Sequence, residues 1–141
     1  MTFKGGESEG LKRLEAYCKK AVNHYSKTRQ SLIGPDYSAK LSPWLSNGCL
    51  SIRKIFQTVS ALKQNESTKV FIDNLLVRDF YRYWCMRNQD KMFTAYGIYD
   101  RKYYNWQTND ETVQRWKAGL TGMPFIDALI REMNQTGYMP Q

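Results

Sequence analysis

The stretch Asp36-Tyr37-Ser38-Ala39-Lys40-Leu41-Ser42-Pro43-Trp44-Leu45 sets two serine hydroxyls and a lysine immediately ahead of a helix start. Hydroxyls, backbone N–H groups and a helix dipole together hold phosphate well. Ser42 alone also reads as a simple N-cap before Pro43, so both readings stand on this stretch. A second polar set lies inside an apolar segment, where Asn74 and Arg78 share a helical face and Tyr81 follows one turn on. Charge in such a helix is costly unless paired or bound to ligand. It marks either a ligand-facing stripe or a structural ion pair of Arg78 or Arg82 with an acid elsewhere.

Other chemistries are excluded. The single histidine, His24, lacks a cysteine or acidic neighbour pattern for metal ligation or a triad and reads as a surface residue. No glycine-rich nucleotide motif and no nucleophile elbow occurs. Carboxylates are scattered without a pair suited to acid–base work. Cys18, Cys49 and Cys85 are odd in number and widely spaced, so they form neither a disulfide framework nor a zinc site.

The elements that must position these residues read as helices. Leu11, Leu14, Cys18 and Val22 make one face of a first helix. His24 to Gln30 suggests a short separate helix, and Gly34-Pro35-Asp36 a loop. Pro43 suits the first turn of a short helix capped by Ser42 and ended by Asn47-Gly48. Ile52, Ile55, Phe56, Val59 and Leu62 follow helical spacing after Ser51 as N-cap. With Ser67 as cap, Thr68 to Asn88 runs without Gly or Pro and is apolar around its whole circumference, which predicts a central, buried helix. A Tyr/Trp-rich loop through Tyr96, Tyr103, Tyr104 and Trp106 follows. Asp110 caps a short helix ending at Gly119, and Pro124 opens a last one with core face Ile126, Leu129, Ile130 and Met133, stopped by Gly137. No stretch alternates with period two, so the chain reads as all-α.

At 141 residues, with 42% hydrophobic and 14% aromatic residues, the chain fits one domain with a real core. Its net charge of +8 favours an anionic partner, or simply a solvated basic face. The basic residues never run beyond two together, so the charge sits in structured segments. Without an apolar N-terminal stretch or membrane span, an intracellular protein, cytoplasmic or nuclear, is expected, with no membrane partner. Asn65-Glu66-Ser67 and Asn134-Gln135-Thr136 then match the glycosylation sequon by chance.

Taken in order, several blocks resemble the cryptochrome/DNA photolyase family. Phe3-Lys4-Gly5-Gly6-Glu7 matches F-x-G-G-E. Ser38-Ala39-Lys40-Leu41-Ser42-Pro43-Trp44-Leu45 with Gly48-Cys49-Leu50-Ser51-Ile52-Arg53 is similar to the family's phosphate loop. Arg78-Asp79-Phe80-Tyr81 resembles its R-[DE]-F-[YF] helix, and Trp116 to Ala128 its W-x-x-G-x-T-G-Y-P-x-x-D-A block. Ile130 to Met139 continues that pattern, and the Tyr-Ser-x-Lys-x-Ser-Pro-Trp variant leans toward the cryptochrome-DASH branch.

The resemblance implies an FAD flavoprotein that performs light-driven repair of pyrimidine dimers in DNA, a lyase reaction, or blue-light photoreception. It places Tyr25, Ser38, Ala39, Lys40, Leu41 and Ser42 at flavin-nucleotide positions. Phe71 stands where a tryptophan usually packs near the flavin, and Arg78 falls on the flavin or lesion side. Arg29, Asn74, Val77, Arg78 and Tyr81 fall at DNA-facing positions. The family usually has Glu at Asn74, Trp at Val77 and Pro at Ile52. After Tyr138-Met139-Pro140 it continues Asn-Arg-x-Arg, whereas this sequence gives Gln141 last. The resemblance thus implies residues 1–141 to be a partial FAD-binding helical domain, lacking the N-terminal α/β antenna domain and the C-terminal flavin-closing helices. The expectation is a fragment inactive as a lone chain unless separately encoded fragments complete it. The alternative is a non-catalytic remnant with weak, nonspecific DNA binding.

Overall fold

The computed structural model describes residues 3–103 and 109–139. The expectations for Tyr104, Trp106, Pro140 and Gln141 lie outside the described residues. Helices follow in the order α1 (Glu7–Lys20), α2 (Tyr25–Thr28), α3 (Ser42–Ser46), α4 (Ile52–Ser60), α5 (Glu66–Asn88), α6 (Asp110–Lys117) and α7 (Pro124–Thr136). Among the described residues there is no strand, as the absence of period-two alternation predicts. No helix among them is long and apolar enough to cross a membrane. The chain divides into two compact units, Met1–Arg87 and Asn88–Gln141.

The core of the first unit gathers Leu14, Tyr17, Cys18 and Val22 with Ala39, Leu41, Trp44, Leu50, Ile55, Val59 and Phe71. Tyr17 is the largest fully buried side chain, though it falls outside the face read from Leu11, Leu14, Cys18 and Val22. Trp44 fastens the start of the chain. Its indole N–H donates to the Lys4 carbonyl at 2.9 Å and its ring meets Phe3 edge-on. A Cβ at Gly10 would lie 3.0 Å from that ring, so only glycine lets α1 approach it unstrained.

The start of α5 corrects one expectation. Asn65, not Ser67, caps this helix. Its side chain accepts from the Thr68 N–H (3.0 Å), while the Thr68 hydroxyl accepts from the Asn65 N–H (2.8 Å). This is a reciprocal capping box with threonine in the usual glutamate place. Ser67 is instead buried, and its hydroxyl accepts from the Ser26 N–H (3.1 Å) and bonds the Ser26 hydroxyl (2.9 Å). Asn65 also donates to Asn23, in the turn just before α2, at 2.8 Å, so with the Ser26 bonds the α2 region is tied to the start of α5.

The expectation that α5 is buried along its length is also wrong. Only Ser67, Thr68 and Phe71 are buried, while Leu76, Val77, Phe80, Tyr81, Tyr83 and Met86 are exposed. A helix of this length runs about 34 Å. The short helices of the first unit cover its first turns only.

In the second unit Asn109, not Asp110, caps α6 by accepting from the Thr112 N–H. The turn into α7 is organised by Asp127, a buried carboxylate that accepts from the Thr121 N–H (2.7 Å), the Thr121 hydroxyl (2.6 Å) and the Gly122 N–H (3.1 Å). Arg131, one turn on, donates to the Gly119 carbonyl from Nε (3.1 Å) and Nη2 (2.8 Å). Gly119 sits at φ 65°, where an added Cβ would meet Arg131 at 2.9 Å, so no other residue fits there unstrained. Gly137 ends α7 in the left-handed region as the sequence predicts.

Thr68→Val keeps the shape of a fully buried side chain but leaves the Asn65 N–H without its acceptor. A loss of about 1–3 kcal/mol in chemical denaturation is the expected result. The Thr121 hydroxyl holds the Asp127 carboxyl below its ordinary value, with burial opposing and the Thr121 and Gly122 N–H groups and Arg131 assisting. A depressed folded-state value gives stability that is complete above the unfolded value of about 4 and lost as pH falls through the folded one. Thermal unfolding between pH 2 and 7 should show this loss. Asp127→Asn should flatten it and lower stability at neutral pH.

Candidate functional site

The loop between α2 and α3 has no secondary structure of its own, so side chains shape it. Arg13, projecting from α1, donates through Nε to the Ala39 carbonyl (2.9 Å), through Nη2 to the Ser38 and Pro35 carbonyls (both 3.1 Å) and through Nη1 to the Asp36 carboxylate (2.7 Å). Thr28 donates to the Tyr37 carbonyl at 2.9 Å. Lys40 is buried, donates to the Gly34 carbonyl at 3.2 Å and sets its ammonium 4.3 Å from the Tyr37 ring centre. The carbonyls of residues 34, 35, 37, 38 and 39 are therefore all turned toward protein donors.

A trans peptide points its N–H opposite to its C=O. Capture of the Tyr37, Ser38 and Ala39 carbonyls thus turns the N–H groups of Ser38, Ala39 and Lys40 to the other side. Among the described residues, none accepts from the Ser38 or Ala39 N–H. Lys40 at φ 52° is followed by Leu41 at φ −89°, ψ −6°. Such alternation of hand turns the N–H groups of residues 40–42 toward one side, a backbone geometry that suits anions. The loop and its clamp hold two cations, Arg13 and Lys40, and one carboxylate, Asp36, which pairs with Arg13, so the balance is positive.

The simple N-cap reading of Ser42 fails. Leu41 is the N-cap, Ser42 is the first helical residue, and no side chain caps α3. With five residues, α3 adds little dipole, so an anion at this loop would depend on loop N–H groups and hydroxyls instead.

Beside the loop, three rings meet. Phe71 lies 5.0 Å from Tyr25, edge to face, and 6.2 Å from Tyr17. The Ser26–Ser67 and Asn23–Asn65 bonds hold α2 so that Tyr25 reaches Phe71. Ala39, Leu41 and Phe71 share one core with Tyr25 packed against it, which brings these four nominated residues together, with Ser38 and Ser42 adjoining them in the chain.

Further along α5 the nominated residues are less engaged. Asn74 turns back on its own helix and donates to the Val70 carbonyl at 2.8 Å. Arg78 lies 3.4 Å from Asp79, its neighbour in sequence, and among the described residues it pairs with no acid from another element. Val77 and Tyr81 are exposed, and Tyr81 meets Phe80 edge-on at 5.6 Å. Arg29, also exposed, closes α2. An open concavity in the second unit, lined by Thr112, Val113, Arg115, Trp116 and Thr121, holds no nominated residue. No group of His, Cys, Asp and Glu among the described residues could hold a metal ion.

Sequence reasoning missed Arg13, Tyr17 and Thr28. The i, i+4 spacing of Arg13 and Tyr17 was visible, but their partners lie some twenty or more residues away along the chain.

Residues 71–141 match the family model described as the FAD binding domain of DNA photolyase. Cryptochrome DASH of Synechocystis sp. is 41% identical over 145 residues, covering 99% of this chain and 29% of that protein. Cryptochrome DASH of Danio rerio is 39% identical over 142 residues, covering 96% and 27%. The crystal structure of the Synechocystis sp. cryptochrome matches with a TM-score of 0.95 at 39% identity, covering 100% of this chain and 30% of that one. A class III photolyase from Agrobacterium tumefaciens, at 22% identity and TM-score 0.87, shares the fold. The chain belongs to the cryptochrome/photolyase family and carries part of its FAD-binding helical domain. It spans about 30% of the length of these relatives. The loop residues fit the diphosphate of FAD, because outward N–H groups, hydroxyls and surplus positive charge suit that anion.

Proposed function

We propose that the chain forms the diphosphate-holding wall of an FAD site in a light-driven flavoprotein of the cryptochrome-DASH type. The observation that carries this is the capture of five loop carbonyls, which leaves the N–H groups of Ser38 and Ala39 turned outward. The Ser38, Ala39, Lys40, Leu41 and Ser42 segment takes the diphosphate. Tyr25 and Phe71 supply an aromatic wall, and Arg78 places a cation on the same helix as Phe71. Bound flavin supplies light-driven electron transfer, for pyrimidine-dimer repair in DNA or for photoreception.

A second reading is favoured by Asn74. Its amide is engaged with the Val70 carbonyl, and Val77 beside it offers no ring for a base to stack on, a contact worth about 1–3 kcal/mol. We infer that DNA binding, through Arg29, Tyr81 and the net charge of +8, is weak and nonspecific and that the lone chain does not repair dimers. Such binding has a Kd of about 10⁻⁴–10⁻⁶ M and weakens as salt rises.

Fluorescence titration should show FAD bound at least about tenfold more tightly than riboflavin, which lacks the phosphates, with ADP competing. Equal affinity for the two flavins would contradict the diphosphate site. Fluorescence anisotropy should give equal affinity for duplexes with and without a thymine dimer, and a clear preference for the dimer would favour the repair reading.

A further inference from the structure

We propose that Arg13, a residue of α1 outside every motif of the site, is the positioning residue that sets the diphosphate specificity of this loop. The inference rests on the diphosphate reading above and says which side chain makes it possible.

The guanidinium spends its donors on four acceptors within five residues of chain: the Pro35, Ser38 and Ala39 carbonyls and the Asp36 carboxylate. Only a planar fork reaches all four, because the donors of an ammonium radiate from one atom and match fewer fixed carbonyls. Its orientation is fixed from behind. The carbon at its centre lies 5.5 Å from the ring centre of Tyr17, which is fully buried, and that ring in turn backs Phe71 at 6.2 Å. The Arg13 side chain is itself only 12% exposed, so it is not a solvent-facing charge that merely draws anions in.

The consequence is directional. While Nε holds the Ala39 carbonyl and Nη2 the Ser38 carbonyl, the N–H groups of Ala39 and Lys40 face the opposite side. With the fork removed, either peptide is free to rotate and present a carbonyl oxygen to the anion. Repulsion then replaces attraction at the same place. Arg13 never touches the phosphate, and it acts through the two peptides it holds. Thr28 does the same for the preceding peptide by donating to the Tyr37 carbonyl.

The test titrates the full chain and its Arg13→Lys, Arg13→Gln and Thr28→Val variants with FAD and with riboflavin, monitoring fold by circular dichroism and thermal unfolding. Arg13→Lys keeps the charge and loses the fork. It and Arg13→Gln should weaken FAD binding about tenfold or more while riboflavin affinity stays within about twofold. Thr28→Val should move the FAD-to-riboflavin ratio in the same direction, and it carries the test if either Arg13 variant fails to fold. Full FAD preference retained in a folded Arg13→Lys variant overturns the proposal while leaving the diphosphate site intact, as does an unchanged ratio in Thr28→Val. A wild-type chain that does not prefer FAD over riboflavin overturns both.

Discussion

A guanidinium that is nearly removed from water must find acceptors for its donors, and Arg13 finds all of them in a loop that has no hydrogen-bond ladder of its own. The two needs answer each other. The loop supplies carbonyls that would otherwise be unsatisfied near the core, and the arginine supplies the geometry that a helix or sheet would give elsewhere. The aromatic packing of Tyr17, Phe71 and Tyr25 holds the arginine from one side, and Trp44 and Leu41 anchor the loop from the other. The outward N–H groups of Ser38 and Ala39 are a product of that arrangement and not of any single motif residue.

The second unit solves a similar problem with the opposite charge. Asp127 collects two N–H groups and a hydroxyl from the Thr121–Gly122 turn, and Arg131 collects the Gly119 carbonyl. Residues that look like a signature of function in this block are thus accounted for by turn geometry. In the first unit the comparable clamp leaves polar groups outward, which is why that unit carries the candidate site.

Local pattern made much of this legible. Helical spacing located Ile55 and Val59 on the buried face of α4, though Phe56 of the same stripe is exposed; Gly137 marked the stop of α7, and the hydroxyl-rich stretch before Pro43 marked the segment that becomes the loop. Helix caps were less legible, because Asn65 and Asn109 outcompete the Ser67 and Asp110 nearest to them by reaching the free N–H groups with a short amide. The extent of burial along α5 was not legible either, since an apolar circumference reports what a helix is able to bury and not what lies beside it. Arg13 was invisible for a plainer reason. Its partners, at positions 35 to 39, lie more than twenty residues along the chain, and only the folded core brings them to it.

The central claim is that the loop peptides are turned so that Ser38 and Ala39 offer their N–H groups to a diphosphate. Amide proton–nitrogen correlation spectra of the chain, recorded while ADP is added, test this at the atoms concerned. The account predicts that the Ser38 and Ala39 resonances move together and saturably, downfield in the proton dimension as hydrogen bonds to phosphate oxygen form. Saturable shifts confined to other residues, or an unchanged spectrum, would contradict it.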